Sequence, residues 1–187
     1  MTLGFAIFLL AVAALVVFAI ATYNRLVGLT QRGAEAWSDV DVQLKRRTDL
    51  VPNLVETVKG YAAHERGTFD AVVRARGAAI TAGTPDARAR AEGQLSDALR
   101  QLVALAEAYP ALRANENFQA LQASLAAIED DIQNSRRYYN AVVRDLNTAI
   151  DSFPSNQVAA AFRFAKRTYF ELDREQDRQV PRVSFGS

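Results

Sequence analysis

The chain has 187 residues, half of them hydrophobic, with 22 Lys and Arg, 21 Asp and Glu, one His and no Cys. A net charge of +1 gives no long-range field to hold nucleic acid, whose binding requires several phosphates to be neutralised. One His without Cys excludes a conventional structural zinc site, and the lack of Cys excludes an N-terminal lipid-modified Cys while suiting a reducing compartment without requiring one.

Every charged side chain lies after residue 22, beginning at Arg25. As a helix, the run Leu3 to Thr22 is about 30 Å long, the thickness of a bilayer's hydrocarbon core. Ala19-Ile20-Ala21 has the small residues of a signal-peptidase site, but nothing basic precedes the run, and about 18 apolar positions exceed the usual 7 to 15 of a cleaved leader. The segment therefore reads as an uncleaved transmembrane anchor, residues 1–22, with the lipid bilayer as its partner through residues 3–22. Arg25 and Arg32 follow it closely, which places a short N-terminus outside and the C-terminal domain in the cytoplasm.

The remainder is long enough for one domain, residues 23–172, followed by an extended tail, residues 173–187. From Tyr23 to about Ile80, apolar residues recur at intervals of three and four: Leu26, Trp37, Val40, Leu44, Val51, Leu54, Val55, Val58, Phe69, Val72, Val73, Ile80. The pattern fits one long helix or two. Pro52 lies inside it, and the loss of a backbone hydrogen bond predicts a kink near Thr48 to Pro52. Trp37 reads as a packing residue.

A second helix is expected after Gly83, with Thr84 as N-cap, Pro85 at the first helical position and an end at Tyr109, before Pro110. The third has the most regular seam: Phe118, Leu121, Leu125, Ile128, Ile132, Ser135, Tyr139, Val142, Leu146 and Ala149, with Asn115 as N-cap and Phe153-Pro154 as the stop. Such a 3.5-residue period favours near-parallel or antiparallel packing within one bundle or between chains. Its span of about 47 Å exceeds the roughly 36 Å of the second helix. The surplus seam, a shared membrane plane and a tail bearing Val183 and Phe185 together favour a homo-oligomer, although the first helix of the same chain can supply the cover. A short helix is expected around Val158 to Glu171. No stretch alternates with the two-residue period of a sheet. The fold class is all-α: an N-terminal transmembrane helix followed by a bundle of long antiparallel helices.

Catalytic chemistry finds little support. A di-iron bundle needs Glu-x-x-His on two helices, and the residue three before His64 is Tyr61. No G-x-S-x-G elbow accompanies His64, which reads as an exposed helical residue beside Glu65. Walker and G-x-G-x-x-G loops are absent, so nucleotide cofactors are not expected. Asp39, Asp41 and the run Glu129-Asp130-Asp131 read as solvated faces. Lys45-Arg46-Arg47 would stand about 35 Å beyond residue 22 along a straight helix, several times the screening length of about 8 Å. Bundle salt bridges with solvation, or a partner surface, suit that run better than lipid. No catalytic, cofactor-binding or metal residue is assigned, and the chain reads as a non-enzyme.

The stretch Ala36-Trp37-Ser38-Asp39-Val40-Asp41-Val42-Gln43-Leu44-Lys45-Arg46-Arg47-Thr48-Asp49-Leu50-Val51-Pro52-Asn53-Leu54-Val55-Glu56-Thr57-Val58-Lys59-Gly60-Tyr61 closely resembles the hallmark segment of the bacterial LemA family. Tyr109-Pro110, Asn115-Glu116-Asn117-Phe118, Arg136, Tyr139-Asn140 and Pro181-Arg182-Val183-Ser184-Phe185 extend the resemblance in order. Leu146-Asn147 stands where a second Tyr-Asn pair would be sought. The resemblance implies a single-pass protein of the bacterial inner membrane with a cytoplasmic helical domain and no established enzymatic activity. It also suggests membrane organisation or envelope quality control, since genes of such chains often lie near those of membrane zinc proteases and one relative resembles magnetosome-membrane proteins. A self-associating membrane scaffold is the first expectation, and an adaptor of a membrane protease the second.

Overall fold

In the computed structural model of the chain, which describes residues 2–171, helix α1 runs unbroken from Thr2 to Lys59. It is followed by α2 (Arg66–Thr81), α3 (Pro85–Glu107), the single turn α4 (Pro110–Arg113), α5 (Glu116–Asp151) and α6 (Ser155–Ala161). There is no strand among the described residues. The tail expected over residues 173–187 lies outside them.

The first expected helix is thus two helices, and the break is not at Pro52. It comes at Gly60, where the last turn tightens onto the Val58 carbonyl through the Tyr61 and Ala62 N–H groups, both at 3.0 Å. A glycine weakens a helix by about 1 kcal/mol relative to Ala. Pro52 stays helical because its missing bond is replaced from outside the helix. The carbonyl four residues back belongs to Thr48, a buried residue, and Arg76 of α2 donates its Nε–H to that oxygen at 2.7 Å. Arg76→Met should therefore cost about 1–2 kcal/mol by orphaning a buried acceptor, and much less in a Pro52→Ala background, where the restored N–H can serve Thr48. Urea unfolding of the four variants measures this coupling; equal costs in both backgrounds would sink the explanation.

By contact, the chain divides into two compact units, one formed by Met1–Asp41 with Gln133–Tyr169, the other chiefly by Val42–Ile132. In the second, Val51, Leu54, Val55 and Val58 of α1 join Phe69, Val72 and Ala79 of α2, Leu95, Leu99 and Leu102 of α3, Leu112 and Phe118. Each such side chain contributes about 1.5–3 kcal/mol on burial. Helix α3 begins as expected, with the Thr84 hydroxyl accepting from the Ala87 N–H at 3.2 Å and Pro85 next. It ends at Glu107, two residues before the expected Tyr109. Val73 and Ile80, which belong to the apolar recurrence, are exposed.

In the first unit, Leu26 packs with Leu146, Ala149, Val158 and Ala159, and Trp37 meets Tyr139 with ring centroids 5.3 Å apart. The pairing of 26 with 146–149 and 37 with 139 makes α1 and α5 antiparallel there. Asn115 caps α5 as expected, its Oδ1 accepting from the Phe118 N–H at 3.0 Å. Every residue of the α5 seam is buried or half-buried within this chain, so the surplus that favoured a neighbouring copy is already covered.

Helix α6 is far shorter than the span Val158 to Glu171. Arg163 takes a left-handed conformation at φ 58°, and the Phe164 N–H reaches back to the Ala159 carbonyl at 2.9 Å. This is the hydrogen-bond pattern of a Schellman stop, with Arg where Gly is usual. The chain then returns in extended form along α5. The Asn147 side chain donates to the Arg167 carbonyl at 2.9 Å and accepts from its N–H at 3.0 Å, while the Tyr139 hydroxyl donates to the Thr168 carbonyl at 2.9 Å. Gly33 permits the close approach, since a Cβ there would lie 3.3 Å from Cδ and Nε of Arg167.

Candidate functional site

The residues singled out from the sequence do not converge. His64 lies exposed in the turn between α1 and α2, not on a helix, and Asp39, Asp41 and Asp130 are exposed. No group of three or more His, Cys, Asp and Glu among the described residues is placed to hold a metal. Trp37 is half-buried against Tyr139, a packing position less enclosed than Val40 and Leu44, both fully buried.

The basic run divides by helical geometry into three environments. Lys45 faces solvent, and Arg46 reaches Asp131 at 3.4 Å and Gln43 at 2.8 Å on the surface. Arg47 is 1% exposed and forms ion pairs with Glu92 of α3, itself fully buried, and with Glu129 of α5. It also donates to the Ser96 hydroxyl at 2.7 Å and the Glu92 carbonyl at 3.2 Å. Arg88 holds the other Glu92 oxygen at 3.1 Å. Charges alternate through Arg88, Glu92, Arg47 and Glu129. This run of pairs joins three helices, and no imidazole or thiol takes part. The solvated reading holds for Asp130 and for Asp131, which meets Arg46 at the surface, and is corrected for Glu129, which pairs with the buried Arg47. Glu92 escaped notice in the sequence, although Glu92 and Ser96, four apart beside the Leu95 and Leu99 seam, are the signal of a buried polar pair.

A second polar feature lies where α1 leaves its apolar segment. Residues 3–18 are exposed in every turn, and this part of α1 is long and apolar enough to cross a membrane. Directly after it, a groove of 540 Å³ opens between α1 and the end of α5. Asn24, Arg25, Gly28, Leu29 and Arg32 line one wall at intervals of three and four, and Arg144, Asp145, Thr148, Ala149 and Ser152 the other, with Ser155 at the end. Three arginines and one aspartate thus line the groove, with Gly28 on the α1 side, where a Cβ would meet nothing within 4 Å. None of the three joins an ion pair among the described residues. The Ser152 and Ser155 hydroxyls donate to helix carbonyls, at 2.7 Å to Thr148 and 2.6 Å to Ala149.

Aromatic side chains gather at the same level. Tyr23 packs against Phe162 and Phe164, with centroids 4.8 and 5.6 Å away. Phe162 is nevertheless 59% exposed, and Phe153, next to the groove residue Ser152, is 82% exposed. From the sequence, Arg25 and Arg32 bear on orientation, and Arg144 carries no signal of its own. The basic spacing of 25 and 32 on one helical face was the available signal, but nothing local tells which α5 face meets it.

Comparison with known proteins agrees with this architecture. The model of the LemA family matches residues 36–185. Magnetosome protein MamQ 2 of Paramagnetospirillum magneticum is 26% identical, over 87% of this chain and 69% of its own length. Magnetosome protein MamQ of Magnetospirillum gryphiswaldense is likewise 26% identical, over 88% of this chain and 70% of its own. With the helical architecture in place and the family model covering most of its length, the chain belongs to the LemA family.

Proposed function

We infer that the protein is a non-enzymatic helical scaffold anchored in the bacterial inner membrane, with its N-terminus outside, its helical domain in the cytoplasm, and copies associating side by side. The observation that carries this reading is the continuity of α1: the exposed apolar residues 3–18 pass without a break into the stretch of the same helix that buries Leu26, Ala36 and Val40. An anchor that continues as a packed helix of the same compact unit fixes that unit's orientation at the bilayer, as a scaffold needs and a flexible tether would not. The magnetosome relatives favour a role in membrane organisation, and no observation favours the protease-adaptor reading over it. Because the α5 seam is filled within the chain, contacts between copies fall to other residues. Val73 and Ile80, two turns apart on α2 and 58% and 50% exposed, offer one such face.

The absence of cysteine makes the test direct. A single Cys at Thr2 should react with a membrane-impermeant thiol reagent on intact cells, and one at Ser187 only after lysis. The reverse pattern would overturn the orientation, and recovery of the unprocessed protein in the soluble fraction would overturn the anchor. A short thiol cross-linker applied to the Thr2→Cys protein in membranes should give dimers and larger species. Monomers alone, at every expression level, would remove self-association.

A further inference from the structure

We propose that the groove between residues 24–32 of α1 and 144–155 of α5 binds the headgroup phosphate of an anionic phospholipid, seated there by Arg25, Arg32 and Arg144. Three observations converge. The first is level: at 1.5 Å per residue, Arg25 stands about 5 Å and Arg32 about 15 Å beyond Thr22. The headgroup layer occupies the first 5–7 Å or so outside the hydrocarbon, and an arginine several ångströms above can reach down into it. The distance argument that removes Lys45 to Arg47 from the membrane surface brings these residues to it.

The second observation is charge. Three guanidinium groups line one concavity with Asp145 as the single acid, and none is spent in an ion pair among the described residues. Guanidinium binds phosphate oxygens through paired N–H donors. The Thr148 hydroxyl lines the same wall and adds a neutral donor. The third is the rim: Phe162, packed against Tyr23, and Phe153, next to the groove residue Ser152, are both mostly exposed. Exposed aromatic rings beside basic residues suit the boundary between hydrocarbon and headgroups. A soluble phosphate compound would use the arginines but would give the two phenylalanines nothing to meet, and so the lipid is the source favoured here.

The proposal rests on Leu3–Thr22 spanning the bilayer, and the test separates the two. Full-length protein is placed in nanodiscs of equal phosphatidylglycerol and phosphatidylcholine, transferred to mild detergent, and its retained lipids are counted by native mass spectrometry. The parent should retain phosphatidylglycerol about tenfold over phosphatidylcholine, and Arg32→Gln with Arg144→Gln should bring the ratio close to one. Arg25 is left unchanged so that one of the two flanking arginines that bear on orientation remains next to the apolar segment. Arg74→Gln with Arg90→Gln, both exposed and outside the groove, carries the same charge change and should keep the preference. An equal loss in that control, or equal retention of both lipids by the parent, overturns the site. Inorganic phosphate displacing phosphatidylglycerol at millimolar concentration overturns the lipid assignment in favour of a soluble anion. Protein recovered outside the discs refutes the membrane reading, and with it the proposal, by a signal that no headgroup result produces.

Discussion

Arg47→Met should destabilise the protein by about 3 kcal/mol, because it strips the fully buried Glu92 carboxylate of one of its two arginine partners. Glu92 is fully buried and holds Arg47 through one carboxylate oxygen and Arg88 through the other. Methionine restores most of the lost volume, so the expected loss is electrostatic rather than a cavity effect. Arg88 retains its pair and keeps the cost finite; Glu129, one-third exposed, can turn to water. Removing the charge on both sides should reverse the damage. The double replacement Arg47→Met with Glu92→Met should return to within about 1 kcal/mol of the parent, since well-packed apolar groups commonly match a buried pair in stability. Urea unfolding of the full chain in mild detergent measures both. With slopes of about 1–3 kcal/mol per molar urea, the single variant's midpoint should fall by more than about 1 M. An unchanged midpoint would mean that Glu92 is solvated or protonated, and a double variant no better than the single would assign Arg47's contribution to its aliphatic stem.

The sequence was most legible where one element answers to its own residues. The charge-free run before Arg25, the Thr84-Pro85 start of α3, the Asn115 cap and the α5 seam all depend on spacing within a single helix, and each is found where spacing put it. Legibility stops where a distant residue decides. Whether the helix continues through Pro52 is open from the spacing alone; it does continue, with Arg76, 24 positions later in the sequence, on the carbonyl that proline leaves open. Val73 and Ile80 keep the apolar period of α2 but face outward, since periodicity defines a stripe without fixing how much of it the neighbouring helices cover. The short α6 follows from Arg163 adopting a conformation more usual for glycine.

The candidate groove was legible by halves for the same reason. Arg25 and Arg32 stand out against a neutral N-terminus, whereas Arg144 is an ordinary surface arginine until α5 brings it alongside α1. The buried pair of Arg47 and Glu92 divides similarly. A helical wheel places Lys45, Arg46 and Arg47 on different faces, but only the fold selects Arg47 as the one that α3 receives.

Asn147→Leu should release the returning segment 164–169 from α5 and cost about 2 kcal/mol, the sum of two hydrogen bonds at roughly 1 kcal/mol each. The side-chain amide imitates a backbone partner, one group donating to the Arg167 carbonyl and the other accepting from its N–H. Leucine fills a similar volume and can serve neither. Tyr139→Phe removes the bond to the Thr168 carbonyl and keeps the ring against Trp37, so that bond's share is about 1 kcal/mol. The two side chains restrain consecutive residues of one strap, which makes their loss non-additive: once Asn147 has released Arg167, Thr168 is already partly free. Hydrogen exchange discriminates local from global effects. In the Asn147→Leu protein the amide of Arg167 should lose protection first and by the largest factor, while Val142 and Leu146 in α5 stay protected. Uniform loss along α5 would show instead that Asn147 supports the helix itself. Unchanged exchange at Arg167 would mean that the Lys166 pair with Asp151 at 2.7 Å and the Arg167 contact with the Thr30 carbonyl at 3.4 Å hold the segment without it. The position where a second Tyr-Asn pair was sought thus has its work divided: Leu146, 1% exposed, fills the core, and Asn147 fastens the strap.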